Sequence, residues 1–84
     1  MSEITVYTTE PCSLCTAAKA LLLSRGLSFE EINLSKDDAG RAALASRTGM
    51  MTFPQVLVGD TLVGGFRETQ AAVADGHFDE LLAS

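Results

Sequence analysis

The sequence predicts one small α/β domain, residues 1–84, in which helices cover both faces of a mixed four-stranded sheet. The chain length is the first observation, because 84 residues leave no room for a second hydrophobic core. The second is composition, since 46% hydrophobic and 20% charged residues are typical of a globular chain. The third is the order of short β-branched runs and helical periodicities, which is β-α-β-α-β-β-α.

The first half of the chain has the pattern of a β-α-β unit. Residues 4–7, Ile-Thr-Val-Tyr, are a β-branched and aromatic run that predicts the first strand. Apolar residues at three- and four-residue spacings, beginning with Leu14, predict a helix over 13–25, which Gly26 ends. Residues 27–34 predict a second strand, which we expect to lie parallel to the first through a right-handed connection.

The second helix is predicted mainly from its start signal. Ser35 is the expected N-cap, and Asp38, three residues later, completes a capping-box pattern. Alanines and one leucine continue the helix to Arg47, and Gly49 is the expected end. These signals place the second helix between the second and third strands.

A hairpin and a last helix complete the predicted domain. Residues 55–58 and 61–63 predict two antiparallel strands that are joined by a two-residue turn at 59–60. The last helix is expected to begin near Arg67 and to be interrupted around 75–76, where Asp-Gly breaks the pattern.

Charge and hydropathy argue against several classes of partner. Six basic and eleven acidic residues give a net charge of −5 without any basic run, so nucleic acid and anionic membrane are poor candidates. No apolar run approaches the roughly 18 residues of a membrane span. The first residues also lack the basic region and apolar stretch of a signal peptide. We therefore expect a cytoplasmic protein.

The two cysteines, Cys12 and Cys15, form a C-x-x-C motif between the first strand and the first helix. A disulfide across so short a loop restricts the unfolded chain little, so chemistry is a better explanation than structural stabilisation. Cys12 lies at a helix N-terminus, where free N–H groups and the macrodipole favour a thiolate. Cys15 follows one turn later on the same face. The motif therefore predicts Cys12 as the nucleophile and Cys15 as the resolving thiol.

Metal binding is the competing interpretation of the motif. A zinc site needs about four ligands, whereas the chain offers two thiols and a distant His77, so no metal site within one chain is predicted. A cluster shared between two chains is a further alternative. Redox exchange is favoured because a C-x-x-C in a β-α-β context is a specific signal.

Several short motifs together resemble those of the small bacterial glutaredoxins of the thioredoxin-fold superfamily. In chain order they are Tyr7-Thr8, the C-x-x-C motif, Lys19-Ala20-Leu21-Leu22, Thr52-Phe53-Pro54-Gln55 and Gly64-Gly65. The resemblance covers residues 3–82 and implies a thioredoxin-like fold and a glutaredoxin-type thiol–disulfide oxidoreductase. It also implies a monomer that uses glutathione as a co-substrate, has no tightly bound cofactor and acts on disulfide-containing proteins.

The resemblance further implies how substrate backbone would be bound. The proline of the T-x-P motif is cis in the family and faces the cysteines, so Pro54 is expected to be cis. The backbone N–H and C=O of Phe53 would then bind substrate like an added strand. Between the cysteines, Ser13 and Leu14 replace the usual Pro-Tyr pair. These residues tune the thiolate, so the redox potential of the family cannot be transferred.

Three charged contacts to glutathione are implied by the same resemblance. The backbone N–H groups of Phe66 and Arg67, which follow Gly65, would bind the γ-glutamyl carboxylate at a helix N-terminus. Glu68 stands where Asp is usual and would pair with the α-amino group. Arg41 would pair with the glycyl carboxylate. The alternative for Arg41 and Glu68 is a solvated helix face.

A second resemblance leaves the reductant open. Gly65-Phe66-Arg67 is similar to the G-F-R of redoxins that serve class Ib ribonucleotide reductase and are recharged by thioredoxin reductase. Because Arg41 and Glu68 supply charges for both ends of glutathione, the predicted function is glutathione-dependent reduction of protein disulfides and protein–glutathione mixed disulfides. An electron donor to ribonucleotide reductase is the alternative, and a dimeric iron–sulfur cluster carrier is a lesser one.

Other residues near the motif are less informative. Lys19, one turn beyond Cys15, and Glu10 are both expected to face water. Met50 and Met51 are expected to fill gaps in the core rather than to line a groove.

Overall fold

The computed structural model describes residues 3–83, and their fold confirms the predicted order of strands and helices. The last predicted helix is divided into two at Gly76. The elements are β1 (Ile4–Thr8), α1 (Ser13–Ser24), β2 (Glu30–Asn33), α2 (Asp38–Thr48), β3 (Gln55–Val58), β4 (Thr61–Gly64), α3 (Phe66–Asp75) and α4 (His77–Ala83).

The four strands form a mixed sheet in the order β2-β1-β3-β4. Strand β1 is parallel to β2 and antiparallel to β3, which is in turn antiparallel to β4. In this register Tyr7 lies opposite Gln55. The loop that follows β1 and the residues that precede β3 therefore lie at the same edge of the sheet. This edge holds both Cys12 and Pro54.

The main core lies on the sheet face that α1 and α3 cover. Its fully buried members come from strands and helices alike: Ile4, Val6, Leu22, Val56, Val58, Ala72 and Phe78. Helix α1 turns Cys15, Ala18 and Leu22 inward. The stripe predicted to begin at Leu14 was wrong at its first residue, because Leu14 is 50% exposed. The inward face instead begins at Cys15, which fixes one sulfur against the core.

Helix α2 covers the opposite face. Strand β3 is buried on both sides, so Gln55 and Leu57 point away from the main core. The hydroxyl of Thr48, at the end of α2, lies 2.8 Å from Gln55 Oε1. Gln55 Nε2 donates to the carbonyls of Met50 and Thr52, each at 3.0 Å. The buried amide of Gln55 therefore holds the loop that carries Phe53 and Pro54.

The predicted start of α2 was wrong by two residues. The side chain of Asn33 accepts both the N–H and the hydroxyl of Ser35, at 2.9 and 2.6 Å. This local turn occupies Ser35 and delays the helix. Asp37 is the N-cap instead, and its carboxylate accepts the N–H of Gly40 at 2.8 Å. Strand β2 is also shorter than predicted, at Glu30–Asn33.

Gly64, at the end of β4, is the position where we expect an added methyl group to cost most stability. Its φ is +130°, and a Cβ there would lie 2.8 Å from Cβ of Glu68. Gly64→Ala therefore combines backbone strain with a clash and should lose more than about 2 kcal/mol of unfolding free energy, measured by urea denaturation. The clash with Glu68 would also displace the start of α3.

Gly26→Ala is the matched control for that substitution. Gly26 has a φ of +71°, but among residues 3–83 no atom beyond its chain neighbours would lie within 4 Å of an added Cβ. It should lose only the cost of a left-handed alanine, about 1–2 kcal/mol. Equal losses for the two variants would contradict the packing argument at Gly64.

Candidate active site

The sulfurs of Cys12 and Cys15 form a disulfide at the N-terminus of α1, with their Cα atoms 5.3 Å apart. Cys12 is the N-cap of the helix, and its sulfur accepts the N–H of Cys15 at 3.1 Å. The first turn of α1 carries no acidic side chain. The N–H of Cys15 and the positive end of the helix dipole therefore favour a thiolate at Cys12 after reduction.

The two cysteines differ sharply in exposure. Cys15 is 2% exposed because it lies on the inward face of α1. Cys12 is only partly buried, and its sulfur lies 3.9 Å from the carbonyl oxygen of Phe53. A disulfide approaching from solvent can therefore reach Cys12 far more readily than Cys15. This asymmetry suits a pair in which one thiol attacks and the other completes the exchange.

Pro54 is cis, as the sequence resemblance implied, and it is buried directly before β3. The Glu10–Pro11 peptide bond is cis as well, which no pattern in the sequence indicated. Pro11 and Pro54 thus flank the cysteines from the two loops that meet at this edge of the sheet.

One groove of about 200 Å³ collects six of the seven residues predicted to bind glutathione. They are Phe53, Pro54, Gly65, Phe66, Arg67 and Glu68. Leu14 and Met50 complete much of its apolar lining. The groove runs from the loop beside the Cys12 sulfur to the N-terminus of α3.

The N-terminus of α3 is set up for an anion. Phe66 and Arg67 are its first two residues, so their N–H groups have no acceptor within the helix. The N–H of Gly65 is already used, since it donates to Glu68 Oε1 at 2.8 Å. Glu68 is exposed and caps the helix with Oε1, and among the hydrogen bonds of residues 3–83 its Oε2 accepts none, so that oxygen can pair with a cationic group. A zwitterionic end of a ligand fits this pair of features.

Arg41 is not brought into this groove. It lies in an adjoining hollow that shares Met50 and Phe53 with the groove. Its guanidinium donates to the carbonyls of Leu34 and Ser35 and pairs with Asp38. In the structure Arg41 therefore holds the β2–α2 loop, and it would have to leave these acceptors to bind a ligand carboxylate.

Two exposed apolar side chains line the hollows on this side of the molecule, Leu14 in the groove and Met51 in the hollow that adjoins it. Met51 is 84% exposed, so the expectation that it fills the core was wrong. Leu14, also well exposed, stands between the cysteines where the family has tyrosine. Leu14 therefore gives the groove an apolar side chain that is open to solvent.

A second, more polar hollow of about 560 Å³ lies on the other side of the cysteines. Lys19 Nζ donates to Glu31 Oε2 at 3.0 Å, and the hydroxyl of Thr8 donates to the same oxygen at 2.9 Å. The hydrogen bond from Lys19 has the larger effect and that from Thr8 the smaller, and both lower the pKa of Glu31 below its usual range. Sequence reasoning missed this cluster, although Lys19 follows Cys15 by four residues and so shares its helix face.

Membrane crossing and metal binding find no support among residues 3–83. None of their helices has the length and apolar character that crossing a membrane requires. The same residues contain no group of three or more His, Cys, Asp or Glu side chains placed to hold a metal ion.

Comparison with known proteins gives a consistent set of relatives. The glutaredoxin family model matches residues 4–63. Glutaredoxin 3 of Escherichia coli K12 is 38% identical over 82 residues, which cover 98% of this chain and 99% of the relative. Pseudomonas aeruginosa glutaredoxin is 38% identical over 84 residues and the full length of both chains.

Solved structures agree with these matches. The solution structure of Brucella melitensis glutaredoxin has a TM-score of 0.84 and 39% identity, covering 98% of this chain and 89% of the other. The crystal structure of a buckwheat glutaredoxin–glutathione complex has a TM-score of 0.86 and 27% identity, covering 98% and 77%.

Proposed function

This chain belongs to the glutaredoxin family of thiol–disulfide oxidoreductases, and we propose that it uses glutathione to reduce protein disulfides and protein–glutathione mixed disulfides. The observation that best supports this proposal is the position of the Cys12 sulfur. It caps α1, it is partly exposed, and it lies beside Phe53 at the head of the groove that ends at α3. An activated sulfur thus opens onto a groove suited to a zwitterionic peptide.

The proposed reaction proceeds by two exchanges at Cys12. The Cys12 thiolate attacks one sulfur of the substrate disulfide, and the departing sulfur leaves as a thiolate that takes up a proton. A mixed disulfide on Cys12 results. Cys15 can then attack the Cys12 sulfur and release the second substrate sulfur in its reduced form. When the mixed disulfide on Cys12 is with glutathione, a second glutathione thiolate can instead attack the glutathione sulfur, so that oxidised glutathione is released and Cys12 leaves as a thiolate. When Cys15 resolves the mixed disulfide, two molecules of glutathione later reduce the Cys12–Cys15 disulfide and leave as oxidised glutathione.

The groove gives glutathione a defined orientation. The γ-glutamyl carboxylate would accept the N–H groups of Phe66 and Arg67, and the α-amino group would pair with Glu68. The backbone of Phe53 would pair with the cysteinyl residue of glutathione, whose sulfur then faces Cys12. The buckwheat glutaredoxin, a protein of similar fold, has been solved in complex with glutathione, which supports glutathione as the ligand. Arg41 would contribute only after release from Leu34 and Ser35.

One observation favours a second candidate reductant. Arg41 and Glu68, the two side chains assigned to glutathione, are both engaged within the protein, whereas Phe66 and Arg67 match the redoxins of ribonucleotide reductase. The second candidate is therefore an electron donor to ribonucleotide reductase that thioredoxin reductase recharges. The two candidates share the chemistry of the cysteines and differ only in the source of electrons.

Reduction of the oxidised protein by glutathione and by NADPH with thioredoxin reductase, side by side, separates the candidates. We expect glutathione to reduce the Cys12–Cys15 disulfide faster than the reductase does. The extent of reduction at each time is measured by alkylating the free thiols and determining the mass of the protein. Glu68→Gln should slow the glutathione reaction about two- to fivefold, because it removes one exposed charge pair while keeping an oxygen to cap α3.

Glu80→Gln is the matched control, since Glu80 is exposed on α4 and lies outside the groove. It makes the same change in net charge and should leave the rate unchanged. Faster reduction by thioredoxin reductase would overturn glutathione dependence, and equal rates for both glutamine variants would overturn the role of Glu68.

A further inference from the structure

The polar hollow on the far side of the cysteines holds charges that the proposed reaction has not yet used. It is lined by Cys15 together with Thr8, Lys19 and Glu31. Cys15 and Lys19 are four residues apart on α1 and are therefore neighbours on one helix face. The ammonium of Lys19 lies 3.0 Å from Oε2 of Glu31. The hydroxyl of the buried Thr8 donates a hydrogen bond to the same carboxylate oxygen. A buried thiol and a fixed ion pair thus share one cavity.

We propose that Glu31 is a positioning residue for the resolving step, because it ties the Lys19 ammonium in an ion pair and so offsets its field at Cys15. This inference rests on the proposed function, in which Cys15 resolves the mixed disulfide. Alone, the Lys19 cation would stabilise a thiolate on the adjacent turn. Paired with Glu31, the Lys19 cation favours a thiolate on Cys15 less strongly.

The other charges near the hollow do not reverse this argument. Glu10, in the loop after β1, lines the rim and accepts a hydrogen bond from Asn33 at 3.0 Å. Its negative charge also disfavours a thiolate on Cys15. Helix α3 packs against α1 but contributes no residue to the hollow. The ion pair is partly screened by solvent, with side-chain exposures of 30% and 35%, so its effect should be moderate.

The rate of the resolving step depends on how readily the Cys15 thiol ionises. Cys15 first loses its proton to solvent in the hollow. Its sulfur electron pair then forms the bond to Cys12, the bond from Cys12 to the substrate sulfur breaks, and the substrate leaves as a thiolate that takes up a proton. Over the two exchanges the two cysteines lose two electrons to become a disulfide, and the substrate disulfide gains those two electrons to become two thiols. A thiol that ionises less completes this step more slowly, which leaves time for glutathione to resolve the mixed disulfide instead.

Titration of Cys15 in the Cys12→Ser protein tests the inference directly. The absorbance of the thiolate near 240 nm is followed against pH, a readout that does not require access to the buried sulfur. Glu31→Gln should move the midpoint to lower pH, because Lys19 is then unpaired, and Lys19→Met should move it to higher pH. With both native cysteines present, Glu31→Gln should speed single-turnover release of a bound glutathione by Cys15 about threefold at pH 7.

Two controls distinguish charge from structure. Lys19→Arg keeps the cation and should hold the midpoint near that of the parent. Glu30→Gln, the adjacent strand residue outside this hollow, changes net charge equally and should not move the midpoint. Coincident midpoints for Glu31→Gln and Glu30→Gln would overturn the inference. Because the titration needs no turnover, a midpoint that moves as expected, together with a parent protein that glutathione does not reduce, would overturn the proposed function alone.

Discussion

The Cys12→Ser protein is expected to lose all reduction of glutathione mixed disulfides above the uncatalysed background. Serine has nearly the shape of cysteine and can still cap α1, but its hydroxyl stays protonated at neutral pH and does not exchange with disulfides. Cys15 cannot replace it, because that residue is 2% exposed and lies on the inward face of α1. The measurement is the rate of NADPH oxidation when glutathione reductase is coupled to the protein, glutathione and a mixed-disulfide substrate.

Ser46→Ala is the matched control for that loss. Ser46 is exposed on α2 and lines neither hollow beside the cysteines, so its replacement alters one polar group away from both sulfurs. It should retain turnover within about twofold, as surface substitutions usually have small effects. Persistent turnover by Cys12→Ser would show that the exposed sulfur is not the nucleophile.

Local signals were sufficient to predict the elements that carry the site. The β-branched run of β1, the periodicity of α1 and the glycine turn before β4 each depend on residues close together in the chain. The C-x-x-C motif fell at the correct junction because the strand and the helix on either side were correctly identified. The resemblance to glutaredoxins added the cis state of Pro54, which local sequence alone does not determine.

Side-chain contacts that lie outside the helix and strand patterns account for most of what sequence reasoning missed. Ser35 was predicted to cap α2, but its backbone N–H donates to the side chain of Asn33 instead, and the helix begins later. Lys19 was expected to face water, since its partner Glu31 comes from a strand twelve residues later. Arg41 was assigned to glutathione, but in the structure it binds carbonyls of the loop before its own helix. In each case a partner outside the local pattern decides where the side chain lies.

The Cys15→Ser protein should separate the two routes by which a mixed disulfide on Cys12 is resolved. Removal of glutathione from a glutathionylated protein needs only the Cys12 sulfur and a second glutathione, so this rate should stay within about tenfold of the parent. Reduction of a protein disulfide needs Cys15 to release the bound substrate, because an intramolecular thiol has a far higher effective concentration than a free one. That rate should fall by at least about a hundredfold.

Cys15→Ala distinguishes loss of chemistry from loss of packing in this experiment. A serine hydroxyl at this buried position costs about 1–3 kcal/mol if it finds no partner, whereas alanine buries no polar group. Both variants lack the resolving sulfur, so both should accumulate a covalent complex with the protein substrate, visible on a non-reducing gel. Equal loss of both activities in the alanine variant would contradict the two routes, because glutathione alone would then be unable to resolve the mixed disulfide on Cys12.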